Sequence, residues 1–336
     1  MAYRIPARLV LAAALSLAAA PAALAQDAPA SEDARGDRPA AERDALGRPP
    51  TADRIDPERF GEAPDAAYGA FQRGLYITAL NLALPRAEAG DAAAQTLAAE
   101  IYARGLGVPR DGEAAARWYA RAAEQDVAEA QFQYALMLLD GRYVDKDAER
   151  AFALMREAAE NGNPLAQFNY AQMILDREAG FESTERAVRY YEMAAEAGLP
   201  DAQYAMAQVH ANGAGGRPQD EAAARRWLAR AARQGYDTAQ LDLGTWLVEG
   251  RGGEADPEAG FAWLKRAAEG GNVAAQNRLA KLYRAGVGTE PDPVVAAAWY
   301  VLARRAGLVD PTLEGFMEGL TPEQRRAAIE QANRLR

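Results

Sequence analysis

The chain has 336 residues, no cysteine, one histidine and a formal net charge of −10. Without thiols there are no disulfides, no thiolate catalysis and no Cys-ligated zinc or iron–sulfur centre; an acidic balance with no Lys/Arg cluster argues against nucleic acid or an anionic membrane as partner. Hydrophobic residues make up 49%, much of it alanine, and aromatics only 8%, which suits closely packed helices better than a sheet.

The first residues read as an address. Arg4 and Arg8 precede an apolar run from Leu9 to Ala20, and Ala23-Leu24-Ala25 has the form of a cleavage site. The run is too short to cross a bilayer comfortably, so residues 1–25 are expected to be a secretory signal peptide cut after Ala25. No later stretch is apolar enough to span a membrane. The expectation is an exported, periplasmic protein with no direct membrane insertion after cleavage. Residues 26–64 carry Pro29, Pro39, Pro49, Pro50, Pro57 and Pro64 among mixed charges, with few large apolar side chains to bury. A disordered Pro/charge-rich arm is expected there, either a tether or a partner-binding arm.

From there the chain repeats. Ala-Gln recurs at Ala94-Gln95, Ala130-Gln131, Ala166-Gln167, Ala202-Gln203, Ala239-Gln240 and Ala275-Gln276, at spacings of 36, 36, 36, 37 and 36. Ten residues after the glutamine stands Gly105, Gly141, Gly213, Gly250 or Gly286; Arg177 departs in the third repeat. A bulky column follows at Trp118, Leu154, Tyr190, Trp227, Trp263 and Trp299, then an Ala-Ala pair, then a stop glycine at Gly162, Gly198, Gly235, Gly271 and Gly307, a column Asp126 breaks. Each unit reads as helix A, glycine turn, helix B, glycine stop. The bulky column is expected to be core, with Trp227→Ala costing about 3–5 kcal/mol. A single unit cannot bury its apolar face, but a stack can.

These columns resemble the Sel-one-like repeat (SLR), a relative of the tetratricopeptide repeat; residues 94–124 (AQTLAAEIYARGLGVPRDGEAAARWYARAAE) carry its pattern. The resemblance implies an all-α fold, an α/α solenoid wound as a right-handed superhelix with helix A lining the concave side. About seven helix-turn-helix repeats would occupy 65–308, the first unit a cap. Thr321-Pro322-Glu323-Gln324 has the signature of a helix start, so 309–336 is expected to hold a C-terminal capping helix.

Catalytic motifs are missing. His210 falls in a column held elsewhere by Tyr102, Leu138, Ile174, Leu247 and Tyr283, which marks it as a packing residue rather than a base. Gly213-Ala214-Gly215-Gly216 follows a helix and lacks the strand–loop–helix context of a phosphate cradle. No cofactor and no metal are expected. Partner binding in a solenoid falls where columns vary. Immediately after the glutamines, Phe132, Phe168 and Tyr204 are aromatic in consecutive repeats, flanked by Gln133, Asn169, Gln172 and Gln208. They would form either an aromatic strip with amides for a bound peptide backbone or packing between adjacent helices. The expected function is a non-enzymatic protein–protein interaction scaffold or adaptor in the bacterial envelope; its regulatory character is implied by the resemblance. The alternatives are a peptidoglycan-fragment binder and a hydrolase of the β-lactam type. The last rests on cysteine-rich exported relatives, whose paired cysteines are missing here.

Overall fold

The computed structural model describes residues 65–335; the expected signal peptide and the 26–64 arm lie outside the described residues. Sixteen helices and no strand occur among them. The first unit pairs α1 (Ala66–Gln72) with α2 (Tyr76–Glu88). Six repeats follow: α3 (Ala92–Arg104) with α4 (Gly112–Ala123), α5 (Ala128–Asp140) with α6 (Ala148–Glu160), α7 (Pro164–Arg177) with α8 (Phe181–Glu196), α9 (Pro200–Asn212) with α10 (Glu221–Arg233), α11 (Asp237–Glu249) with α12 (Pro257–Glu269), and α13 (Val273–Ala285) with α14 (Pro293–Arg305). Each helix from α1 to α13 packs on the next, the connectivity of a helical repeat solenoid.

The turns explain the sequence columns. Helix A ends on a left-handed glycine at Gly105, Gly141, Gly250 and Gly286, with φ between 67° and 74°, a conformation that costs other residues about 1–2 kcal/mol. Helix B then starts on an aspartate: Asp111, Asp147, Asp220 and Asp256 each accept from a backbone N–H three residues on, at 2.8–2.9 Å, and Asp292 caps α14 in the same way. Such a cap contributes about 1 kcal/mol. In the third repeat Arg177 stays helical, Glu178 turns extended, and α8 begins early and runs for 16 residues. Helix B has gained the residues that the other repeats spend on the turn.

The repeated glutamines tie the units together. Nε2 of Gln95, Gln131, Gln167, Gln203, Gln240 and Gln276 donates to the carbonyl eight residues earlier, in the last turn of the preceding helix B, at 3.1–3.5 Å. All six are buried. Helix C-termini leave carbonyls without intrahelical partners, and each glutamine satisfies one from inside the core.

The core of helix B lies one residue beyond the bulky column. Tyr119, Met155, Tyr191, Leu228, Leu264 and Tyr300 are at most 2% exposed. Trp118, Leu154, Tyr190, Trp227 and Trp263 are only half-buried, and Trp299 alone of that column is buried. A guanidinium one turn on covers three of the indoles: Arg121 over Trp118, Arg230 over Trp227 and Arg266 over Trp263. The tryptophans are therefore seam residues; Trp118 and Trp227 each pack against two separate core clusters.

The C-terminal end has two helices where the sequence suggested one. Asp310-Pro311 starts the short α15 (Pro311–Glu318), and Thr321 starts α16 (Pro322–Arg334) with a reciprocal Thr321–Gln324 capping box. The last helix, α16, packs on α14 and covers the end of the stack.

Candidate protein-interaction face

Helices α3, α5, α7, α9, α11 and α13 lie side by side, and side chains cross between them. Asn163 Nδ2 donates to Glu129 at 2.9 Å, Tyr204 Oη to Asp242 at 3.0 Å and Asn272 Nδ2 to Asp237 at 3.3 Å. The inward columns of these helices, containing Ala94 and Ala99 and their equivalents, are buried alanines, save Gly244, and each helix A packs closely on its neighbouring B helices. Toward solvent lie most residues of the columns two and five positions after each glutamine, which change from repeat to repeat; Leu97 and Thr245 of these columns are buried.

The structure separates the candidate residues. Phe132 is 3% exposed and belongs to the core, which corrects its placement in an aromatic strip: here the residue after the glutamine points into the seam between units. Phe168 is half-buried, its ring 5.5 Å from that of Tyr191. Tyr204 is half-buried against Tyr236, 5.2 Å between centroids. Gln133, Asn169, Gln172 and Gln208 are all half-buried. The Gln133 amide is held by Glu129 at 2.8 Å and that of Asn169 by the Leu165 carbonyl at 2.7 Å.

Around Tyr204 the face gathers more chemistry than the sequence suggested. Asp201 precedes it by one turn on α9, Tyr236 caps α11, and Asp242 accepts its hydroxyl. Burial raises the carboxyl pKa of Asp242, with the Tyr204 hydrogen bond pulling the other way. Burial also raises that of Asp201 and pushes the Tyr236 phenol up to about 12. Two partly desolvated carboxylates flanking two rings seek donors and a flat apolar surface. Asp242 stood in a varying column and could have been found in the sequence. Tyr236 was hidden because it takes the helix-cap position that Asp91, Asn163 and Asn272 hold elsewhere.

His210 is half-buried on α9, and its backbone carbonyl accepts the Asp220 N–H at 2.8 Å. The Gly213–Gly216 stretch is the connection from α9 to α10. Among the described residues no cluster of three or more His, Asp or Glu side chains is placed to hold a metal, and no helix is long and apolar enough to cross a membrane.

Comparison with known proteins matches this architecture. The family model of the Sel1 repeat fits six times, over residues 92–127, 128–163, 164–199, 200–236, 238–272 and 273–308. The crystal structure of a Sel1 repeat protein from Oxalobacter formigenes is similar at 26% identity, with 74% of this chain and 100% of that chain covered and a TM-score of 0.61. So is that of a protective antigen present in uropathogenic Escherichia coli strains and displaying an SLR fold, at 26% identity, 77% and 64% coverage and a TM-score of 0.52. No curated protein sequence matches the chain.

Proposed function

We infer, from the premise that this chain belongs to the Sel1 repeat family, that it is a non-enzymatic scaffold that holds a protein partner against its helix-A face. Members of this family generally serve as protein-interaction scaffolds. The observation that carries the reading is the contrast between columns. The glutamine and alanine columns recur to build the stack, while Phe168, Asn169, Gln172, Tyr204, Gln208 and Asp242 break the pattern on one continuous face. Half-buried aromatics with few rotors anchor interfaces at low entropic cost, and amides beside them can pair with a partner's backbone. An extended peptide or a loop of a folded domain fits such a face. Gln133 belongs to its edge, and Phe132 supports it from below.

The partner is proposed to be an envelope protein, because Arg4, Arg8, the Leu9–Ala20 run and Ala23-Leu24-Ala25 have the form of an export signal. Edman sequencing of the exported chain should begin at Gln26; recovery of the intact N-terminus from the cytoplasm would sink the export reading. A regulatory role within the envelope is part of the same proposal.

A second reading has one observation in its favour. The Tyr204–Tyr236 ring pair between Asp201 and Asp242 also suits a sugar, with rings to stack and carboxylates to accept hydroxyls. Binding to peptidoglycan sacculi separates the two. The scaffold reading expects crosslinked capture of one partner protein by the wild type and its loss from a folded Phe168→Ala, Tyr204→Ala variant, with no retention on sacculi. Retention on sacculi that the same variant abolishes would replace it with cell-wall binding.

A further inference from the structure

On the opposite, helix-B side, the fourth repeat departs from the pattern of most of the others. A groove of about 400 Å³ lies between α10 and α12. Arg225, Arg226 and Arg233 form one wall and Trp263 the other; Leu243 and Leu247 from α11 lie at the base. Those leucines are 2% and 7% exposed, so the base is apolar and nearly sealed.

Comparison between repeats shows how the groove is made. The position of Ala222 is glutamate in four other repeats (Glu113, Glu149, Glu185 and Glu258), and that of Arg233 is glutamate in four (Glu124, Glu160, Glu196 and Glu269). Both flanking carboxylates are thus lost together, and one is reversed in sign; the sixth repeat shares both changes (Val294 and Arg305), but there α16 packs on α14 and Arg305 donates to Asn333 at 2.9 Å. The position of Arg225 is held by Phe152 in the second repeat and Phe261 in the fifth; these rings pack on Tyr170 and Tyr283, 5.2 and 5.1 Å between centroids. In the fourth repeat that apolar plug is gone. The Arg225 guanidinium swings outward to the carbonyls of Glu254 at 2.9 Å and Arg251 at 3.5 Å. Ala222, Ala229 and Ala259 line the same opening, and their short side chains leave it unfilled.

The charges around the groove are mostly unspent. Neither Arg226 nor Arg233 forms an ion pair among the described residues. Of the nearby acids, Glu221 is bridged to Arg251 at 2.7 Å, and Asp220 is occupied as the α10 cap. In a chain of net charge −10, a stripe of free guanidinium groups along one helix face is a local inversion of sign. It attracts carboxylates, and the apolar base beneath rewards a hydrophobic side chain presented between them.

We propose that the α10–α12 groove is a second docking site, taking an acidic peptide segment that inserts one leucine or aromatic side chain over Leu243 and Leu247 and sets its flanking carboxylates on Arg226 and Arg233. It is separate from the helix-A face and does not rest on the function proposed for that face. Charge favours a peptide over a nucleic acid, whose long phosphate backbone would meet the negative field of the rest of the chain.

The test uses the intact protein and a panel of short fluorescein-labelled peptides, each with one central leucine, phenylalanine or tryptophan between glutamates. Counterparts carry lysine for glutamate, and a labelled oligothymidylate represents nucleic acid. The expected result is that at least one acidic peptide binds by fluorescence anisotropy, more weakly as salt rises, and shifts the indole N–H resonance assigned by Trp263→Phe. The Arg226→Glu, Arg233→Glu double variant changes only exposed side chains and should weaken binding about tenfold or more with an unchanged circular dichroism spectrum. Trp263→Ala reports on the groove wall in the same assay. The proposal is overturned if no acidic peptide binds better than its lysine counterpart, if only the oligonucleotide binds, or if the double variant binds the peptide as the wild type does.

Discussion

Gln203 and Gln234 are hydrogen-bonded side chain to side chain at 2.8 Å, across the 31 residues that separate one repeat's helix A from the end of its helix B. The same bond joins Gln125 to Gln95 at 2.8 Å and Asn161 to Gln131 at 3.1 Å. Each of these glutamines thus donates to one helix terminus and accepts from the next. In the third repeat the donor is missing: Ala197 occupies its place, and Gln167 Oε1 is buried without a partner. Ala197→Gln or Ala197→Asn should supply the bond and raise stability by about 0.5–1.5 kcal/mol, read as a higher urea midpoint at unchanged slope. An unchanged midpoint would mean that the amide chain is incidental to stability.

Asp126 is the only non-glycine residue with positive φ among the described residues, at 60°. It sits in the stop-glycine column. Asp126→Gly relieves the backbone and gives up one long contact to Gln131 at 3.3 Å; the expected gain is about 0.5–1 kcal/mol. Arg177→Gly makes a formally similar return to the repeat pattern with the opposite sign. Arg177 is helical, stacks on Phe152 at 4.3 Å and bridges Glu149, so its loss should cost about 1 kcal/mol. Thermal melts of the two variants moving in the same direction would contradict this account.

Gly244 and Gly260 both stand where the other repeats have alanine. A Cβ on Gly244 would lie 2.9 Å from the Gly260 carbonyl oxygen and 2.7 Å from Leu264 Cγ; one on Gly260 would lie 2.7 Å from the Gly244 carbonyl oxygen. The backbones of α11 and α12 touch there. Alanine is the better helix former by about 1 kcal/mol, yet Gly244→Ala should destabilise by about 1–3 kcal/mol through overpacking. Stabilisation would show that the two helices can separate at no cost.

The C-terminal cap should be acid-sensitive. Lys281 at 2.5 Å and Asn277 at 3.1 Å hold the Asp310 carboxylate, which also caps α15, and its pKa falls from 3.8 to about 2. A carboxyl group with a depressed folded-state pKa contributes stability that is complete above the unfolded value and is lost as pH falls through the folded one. Hydrogen exchange in α15 should therefore accelerate as pH falls from about 4 towards 2, after correction for intrinsic rates, and Asp310→Asn should remove that dependence. An identical pH profile in the variant would remove Asp310 from the account.

Much of the fold was legible because glycine, aspartate and alanine do jobs that few residues can share. Left-handed turns, helix caps and close helix contacts left columns at fixed spacing. Size misled where geometry decides. The tryptophans are the largest side chains of helix B, but the buried position is the next one, where tyrosine, methionine and leucine interchange. Phe132 and Phe168 occupy the same column, yet the first is buried and the second half-buried, a difference no spacing encodes. The start of α15 was written in Asp310-Pro311, the pairing that opens α12 and α14 at Asp256-Pro257 and Asp292-Pro293. The α10–α12 groove also left its mark in sequence, as two glutamate columns broken together in the fourth repeat and again only in the last.

The helix-A face is tested most directly by placing a photocrosslinking amino acid at Gln172, at Gln208 and, as a control on helix B, at the exposed Ala262, then irradiating cells in which the protein acts. The account expects one discrete protein adduct from positions 172 and 208, none from 262, and loss of the adduct when Phe168→Ala and Tyr204→Ala are added. Adducts of equal yield from 262, or none from either helix-A position, would contradict it.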